Sequence, residues 1–259
     1  MNARNTKKTF FFLVVMVLFV VNSRATDSNN KSNSAVNLLE QDSVYNQAKL
    51  EFDLFTLSLY QKADDSTLNY EAFQQGIVGY LNMYKQNEIK VERYLTIIDF
   101  SKPSSEERLF IFDVCKQKLA YKSIVSHGQK SGGLYATDFS NNNNSHQSSI
   151  GFYLTTSTYQ SNKYKLALRL AGKEYSNSRA TSRGVVMHGA DYATYEFLEK
   201  NGALGRSYGC PAMPFENFEQ VVKWIKNGSC MYIYYPSRSY QSHSKYLNKK
   251  DYLEDFVKF

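Results

Sequence analysis

The strongest chemical feature of the sequence is a cysteine held between glycine and proline in a turn-dense loop, Gly205-Arg206-Ser207-Tyr208-Gly209-Cys210-Pro211. Upstream of it, His188 ends the apolar run Val185-Val186-Met187-His188, and the chain breaks at Gly189. A histidine placed this way can face a cleft. An imidazole beside a thiol takes its proton and lowers the thiol pKa from about 8.5, so that thiolate forms near neutrality. Glycine next to the cysteine lets backbone amides turn toward a bound carbonyl oxygen. A structural cysteine is expected in an apolar run, and the neighbours of Cys210 are polar and turn-forming. The residues therefore predict acyl transfer, with Cys210 as nucleophile, His188 as base, and the amides around Gly209 and Cys210 as oxyanion donors.

Other chemistries find less support. The four histidines, His127, His146, His188 and His243, include no pair at i, i+4, and there is no Cys-x-x-Cys, so neither a metal nor another cofactor is expected. Ser242-His243-Ser244-Lys245 matches Ser-x-x-Lys and Lys130-Ser131-Gly132 resembles Lys-Thr-Gly, but their order is the reverse of that in penicillin-binding serine enzymes. Of the remaining cysteines, Cys115 and Cys230 lie in apolar, strand-like runs and either pair across a sheet or are buried unpaired; unpaired burial is favoured.

The elements that must position these residues can be read from periodicity. Tyr45, Ala48, Phe52, Phe55 and Leu59, then Phe73, Ile77, Leu81 and Tyr84, recur at spacings of three and four, which predicts two amphipathic helices separated by the turn-forming Asp64-Asp65-Ser66-Thr67. After about Lys90 come short β-branched and aromatic runs: Tyr94 to Asp99, Leu109 to Val114, Leu119 to Val125, Gly151 to Thr155, Leu166 to Leu170, Val185 to His188 and Cys230 to Tyr235. Helical stretches interrupt them at Thr194 to Lys200 and at Phe215 to Lys226, the second stopped by Asn227-Gly228. Apolar pairs between Tyr246 and Phe259 predict a terminal helix. The domain reading is a helical extension over 36–90, a catalytic domain over 91–240 and a tail over 241–259.

The N-terminus is a secretory signal in form: Arg4, Lys7 and Lys8 precede an apolar run from Phe10 to Val21, and Ser23 and Ala25 supply the small residues of a cleavage site. Residues 1–25 are expected to be removed, and the polar stretch 26–35 to be a flexible linker, leaving no membrane span. Export to the periplasm or cell envelope also changes the charge: four of the net seven positive charges leave with the signal, so the mature chain carries about +3. No Lys/Arg stripe accompanies so weak a field, which excludes a nucleic-acid footprint.

The His-Gly strand end followed by Ser-x-Gly-Cys resembles the signature of YkuD-like L,D-transpeptidases, and Gly-Arg-Ser-Tyr-Gly-Cys-Pro-Ala resembles their murein branch. Further landmarks in family order are Ile98-Asp99-Phe100-Ser101-Lys102-Pro103, Val125-Ser126-His127-Gly128, Phe139-Ser140-Asn141 and Ser148-Ser149-Ile150-Gly151-Phe152-Tyr153. The resemblance implies a mainly β, YkuD-like sandwich or barrel with an N-terminal helical extension and a short C-terminal helix, α+β overall. It also implies action on peptidoglycan stem peptides, as acyl donor and acceptor, and inhibition by carbapenems. A water-resolved thioester (L,D-carboxypeptidase or endopeptidase) and a non-catalytic wall-binding module are the alternatives. The broader family has a histidine before the Gly-Cys pair and Arg or Asn soon after it, where this chain has Tyr208 and Pro211-Ala212-Met213. A carboxylate-binding fork would then come from Arg206 or Arg183. Ser207 and Gly209 join Cys210 and His188 in the catalytic group, with Ser207 or the Gly189 carbonyl orienting the imidazole. Candidate substrate-contacting residues are Arg206, Tyr208, Arg183, His127 and Gly189.

Overall fold

A computed structural model describes residues 34–162 and 165–248. The expected signal peptide, most of the linker and the tail beyond residue 248 lie outside the described residues. The last two residues of the expected linker already belong to the first helix, α1 (Ser34–Ala63). The unit that holds the site runs from Asp42 on.

Within that unit, α1 buries Ala48, Phe52, Phe55 and Leu59 of the stripe that the spacing marks, while Tyr45 at its start is exposed. Asp64 reverses the chain at φ +51°, and Asp65 Oδ1 accepts the Thr67 amide at 2.8 Å. The cap of α2 (Tyr70–Lys85) comes from Asn69, whose side chain accepts the Ala72 amide at 3.1 Å. This helix lies against the sheet: the Phe73 ring meets Phe112 edge-on at 5.1 Å, and a Cβ on Gly79 would come within 1.9 Å of the Phe152 ring. Only glycine lets the two surfaces approach this closely.

Eight strands form one mixed sheet: β1 (Tyr94–Asp99), β2 (Leu109–Asp113), β3 (Lys118–Ser123), β4 (Gly151–Ser161), β5 (Lys165–Gly172), β6 (Val186–Gly189), β7 (Ala212–Met213) and β8 (Cys230–Tyr234). Their order is β3-β2-β1-β8-β4-β5-β6-β7, antiparallel except for the β1–β8 and β6–β7 pairs. The sheet curls until its ends nearly meet: Ser126, just beyond β3, bridges to Ala212 of β7 and donates its amide to the Ala212 carbonyl at 2.7 Å. This is the expected mainly β fold with a helical extension. Helices α3 (Tyr195–Asn201), α4 (Phe215–Ile225) and α5 (Arg238–His243) complete it. Among the described residues no helix is long and apolar enough to cross a membrane.

The structure departs from the expected elements in three places. Strand β4 continues past Thr155 through Thr156-Ser157-Thr158-Tyr159-Gln160, polar residues with no apolar alternation to mark them. The tail begins with a helix that the spacing did not mark, at Arg238–His243, and Tyr246 is not helical, while the expected terminal helix beyond residue 248 lies outside the described residues. Buried Glu174 anchors this tail by accepting the Tyr240 hydroxyl at 2.5 Å and the Ser244 hydroxyl. Finally, Cys115 is exposed in the turn after β2 instead of buried in a strand, because the strand ends two residues earlier at Asp113. Cys115, Cys210 and Cys230 form no disulfide with one another, and Cys230 is buried in β8 beside Met83.

Candidate active site

The site is assembled where β6 and β7 run parallel. His188 pairs with Ala212 and donates its amide to the Pro211 carbonyl at 3.3 Å, so the strand that carries the histidine holds the residues directly after Cys210. Side chains two apart on a strand share a face. Val186 and His188 therefore face the same way, as do Ala167 and Arg169 of β5, which pair with His188 and Val186 respectively. Cys210 packs on Ala167 and Val186, with Tyr159 of β4 against the same cluster. The thiol thus lies on the face that presents the imidazole. Its sulfur receives the Val186 amide at 3.4 Å and lies 3.9 Å from the Gly184 carbonyl. A backbone N–H aimed at sulfur favours the charged thiolate over the neutral thiol.

The turn before Cys210 is closed by Ser207, whose Oγ donates to the Cys210 carbonyl at 2.6 Å and accepts the Gly209 amide at 3.0 Å. Gly209 sits at φ +118°, and a Cβ there would lie 2.6 Å from the Gln147 carbonyl, so no other residue fits. The turn is docked from outside as well. The Ser207 amide donates to the His127 carbonyl at 3.0 Å, and the Gln129 amide to the Ser207 carbonyl at 2.7 Å. Ser148 Oγ accepts the Gly128 amide at 3.0 Å and donates to the Gly209 carbonyl at 3.2 Å. Ser148 stood in a family landmark without a role, and neither its part in the turn nor that of the Val186 amide was read from the sequence, because a serine among serines and a backbone group in a strand carry no composition signal.

Of the two candidates for orienting His188, geometry selects the backbone: Nδ1 lies 2.9 Å from the Gly189 carbonyl, whereas Ser207 is committed to Cys210 and Gly209. Donation from Nδ1–H to that carbonyl leaves the Nε2 lone pair as the basic position. Gly189 is buried against Phe215, and its contribution is this carbonyl, not a surface for substrate.

Other candidates are spent inside the fold. His127 is fully buried, with Nδ1 2.8 Å from the Arg108 guanidinium; burial and that cation pull its pKa down to about 4, so it is neutral and out of substrate's reach. Arg108 is itself buried, donates to the Val125 and Lys102 carbonyls, and is drawn by burial down to about 9. Half-buried Arg183 reaches the Ser140 carbonyl at 2.7 Å, Ser149 Oγ at 2.6 Å, Ser145 Oγ at 3.1 Å and the Gln147 carbonyl at 2.5 Å. This leaves little of the guanidinium for a ligand carboxylate. Burial lowers its pKa, while attraction to the Tyr153 and Cys210 side chains in their anionic forms works the other way. Arg206 is exposed and donates to the Gly132 carbonyl at 3.0 Å. Tyr208 is 62 % exposed and stacks on His146 at 4.4 Å between ring centres, which sets an imidazole beside the position where the wider family has one. Among the described residues no cluster could hold a metal ion.

Residues 64–234 match the L,D-transpeptidase catalytic domain family. The chain belongs to that family. Comparison with curated proteins finds no match. Solved structures that resemble it include an L,D-transpeptidase from Mycobacterium smegmatis, at 13 % identity and a TM-score of 0.36 over 55 % of this chain and 59 % of that one. Bd1075 from Bdellovibrio bacteriovorus is similar at 17 % identity and a TM-score of 0.37, over 64 % of this chain and 56 % of that one. L,D-transpeptidase 3 from Mycobacterium tuberculosis is similar at 13 % identity and a TM-score of 0.36, over 55 % of this chain and 61 % of that one. The chain spans less than two thirds of the length of each of these three.

Proposed function

We propose that the chain is exported to the cell envelope and exchanges peptide bonds in peptidoglycan stems through a thioester on Cys210. The observation that carries this reading is the shared face: Cys210 sulfur, with an amide aimed at it, lies over the strand whose next outward residue is His188, held by the Gly189 carbonyl.

In the first step the Cys210 thiolate attacks the carbonyl of the residue before a terminal D-residue. The S–C bond forms, the C–N bond breaks, and His188, which holds the proton from the thiol, gives it to the departing amine. The Gly209 amide donates to Ser207 Oγ in the resting site, and the amides around Gly209 and Cys210 are the proposed oxyanion donors. In the second step His188 removes a proton from the amine of another stem, which attacks the thioester and restores the thiol. One amide replaces another, so no nucleotide or other cofactor is needed. A strained β-lactam carbonyl presented to the same thiolate gives a thioester with no mobile leaving group, which is why carbapenems are expected to block the site.

The test is incubation of the mature protein with disaccharide-tetrapeptide, followed by mass spectrometry. Cross-linked dimer supports transpeptidation. Tripeptide without dimer reassigns the chain to carboxypeptidase chemistry, and no turnover favours a wall-binding module with a silent site.

A further inference from the structure

Arg169 on β5 has no role in the account so far, yet it stands on the face that carries Cys210 and His188. Its register partner is Val186, whose amide meets the Cys210 sulfur at 3.4 Å. Its neighbour on the same face, Ala167, packs directly against Cys210. The guanidinium stacks over the Tyr159 ring at 4.3 Å from its centroid, and Tyr159 packs against the Ala167, Val186 and Cys210 cluster. The backbone below is pinned by Thr156 Oγ1, which donates to the Arg169 carbonyl at 3.3 Å.

The other arginines near the site have their donors occupied by the fold. Arg183 is bound to two carbonyls and two hydroxyls, Arg108 to carbonyls and His127, and Arg206 to the Gly132 carbonyl. Among the described residues Arg169 meets only the face of Tyr159, and its side chain is exposed. A guanidinium braced on a ring keeps its planar edge and its N–H donors directed outward, the geometry that grips a carboxylate with two parallel hydrogen bonds. The brace also reduces the rotamer entropy lost when a ligand is bound.

We infer that Arg169, braced by Tyr159, is a carboxylate subsite beside the nucleophile and holds the free carboxylate of the terminal D-residue that leaves in the first step. This rests on the proposed reaction. The carboxylate of that residue is separated from the scissile carbonyl only by the leaving nitrogen and one α-carbon, so a donor seated on Cys210 carries its anion within reach of a neighbouring side chain on the same face. The subsite explains how the chain dispenses with the polar residue that the wider family carries after Gly-Cys, where this chain has Pro211-Ala212-Met213. It also gives direction to the donor, with the leaving residue over β5 and the retained stem on the other side of Cys210.

The experiment compares two donors, disaccharide-tetrapeptide with a free terminal carboxylate and the same molecule ending in a carboxamide, with the mature wild-type protein and its Arg169→Gln, Arg169→Lys and Lys165→Gln variants. Lys165 is the competing cation, at the start of β5 with its ammonium 5.5 Å from the Phe215 ring centre. Wild type is expected to prefer the carboxylate in kcat/KM by about 10- to 100-fold, the range for a charge-assisted pair. Arg169→Gln should lose that preference while keeping the amide rate, and Arg169→Lys should recover part of it. Equal wild-type rates on the two donors, or a preference that survives Arg169→Gln and vanishes in Lys165→Gln, overturns the assignment. If wild type turns over neither donor, the transpeptidase reading itself falls and the subsite with it.

Discussion

Replacing Arg183 by alanine tests whether this arginine positions the site or binds substrate. The side chain ties Ser140, Ser145, Gln147 and Ser149 together, and its Nη2 lies 3.2 Å from where a Cβ on Gly209 would be. The loop it gathers contains Ser148, whose hydroxyl holds the Gly209 carbonyl. A hydrogen bond to a charged donor contributes about 1.5–3 kcal/mol, but bonds that share one half-buried side chain are not additive, so Arg183→Ala is expected to cost about 2–4 kcal/mol in all. For a body of this size that is a fall in Tm of roughly 5–12 °C. Loss of the loop's support should also let the Cys210 turn drift and lower kcat, with KM changing less. Arg183→Lys should rescue little, because one ammonium cannot span four acceptors arranged for a fork. Thermal melting and steady-state kinetics on the tetrapeptide donor decide the matter. An unchanged Tm together with a raised KM would refute the clamp and restore Arg183 as a substrate-binding residue.

Cys210→Ala should abolish cross-linking in a folded protein, and His188→Ala should slow acylation by roughly a hundredfold to ten-thousandfold, the loss typical of removing a positioned base; stopped-flow acylation by meropenem reads the second, and an unchanged rate would remove His188 from that role. His127 is held neutral with a pKa depressed to about 4, so its contribution to stability is complete above the unfolded value near 6.5 and declines as pH falls toward about 4. Between pH 7 and pH 4 wild type should lose up to about 3 kcal/mol that His127→Gln does not lose, measured by urea unfolding; parallel curves for the two proteins would contradict this. Cys115→Ser and Cys230→Ser should both leave catalysis intact, and a thiol reagent should label exposed Cys115 in the native protein while Cys230 reacts only after unfolding. Loss of turnover in folded Cys230→Ser would show that Cys210 is not the sole functional thiol.

The strand runs were legible because strands buried on both faces read as continuous β-branched and aromatic runs, as in Tyr94–Asp99, and the helical stripes because three-four spacing follows the buried face, as from Ala48 to Leu59. What stayed hidden was what packing or backbone decides. Two-residue β7 is too short to carry a period, and the polar extension of β4 is a strand because β5 pairs with it. At the site, the residue types of Cys210 and His188 announced their chemistry, and the Gly189 carbonyl was foreseen as one of two possible partners for the imidazole. The sequence could not show that Arg183 and His127 face inward, because an arginine satisfied by carbonyls and one bound to a ligand are written with the same letter. Arg169 was missed for the converse reason: only the β5–β6 register puts it beside Cys210.

The central claim is that a covalent acyl intermediate forms on one particular sulfur. Wild-type protein mixed with tetrapeptide donor in the absence of an acceptor amine, quenched in acid within the first turnover and digested, should give a fragment containing Cys210 that carries the mass of the retained acyl group, accompanied by released terminal D-residue. The adduct should be lost on treatment with hydroxylamine, as a thioester is, and should not form in Cys210→Ala. Release of the D-residue at the same rate with no adduct on Cys210, or with the adduct on another residue, would contradict the account.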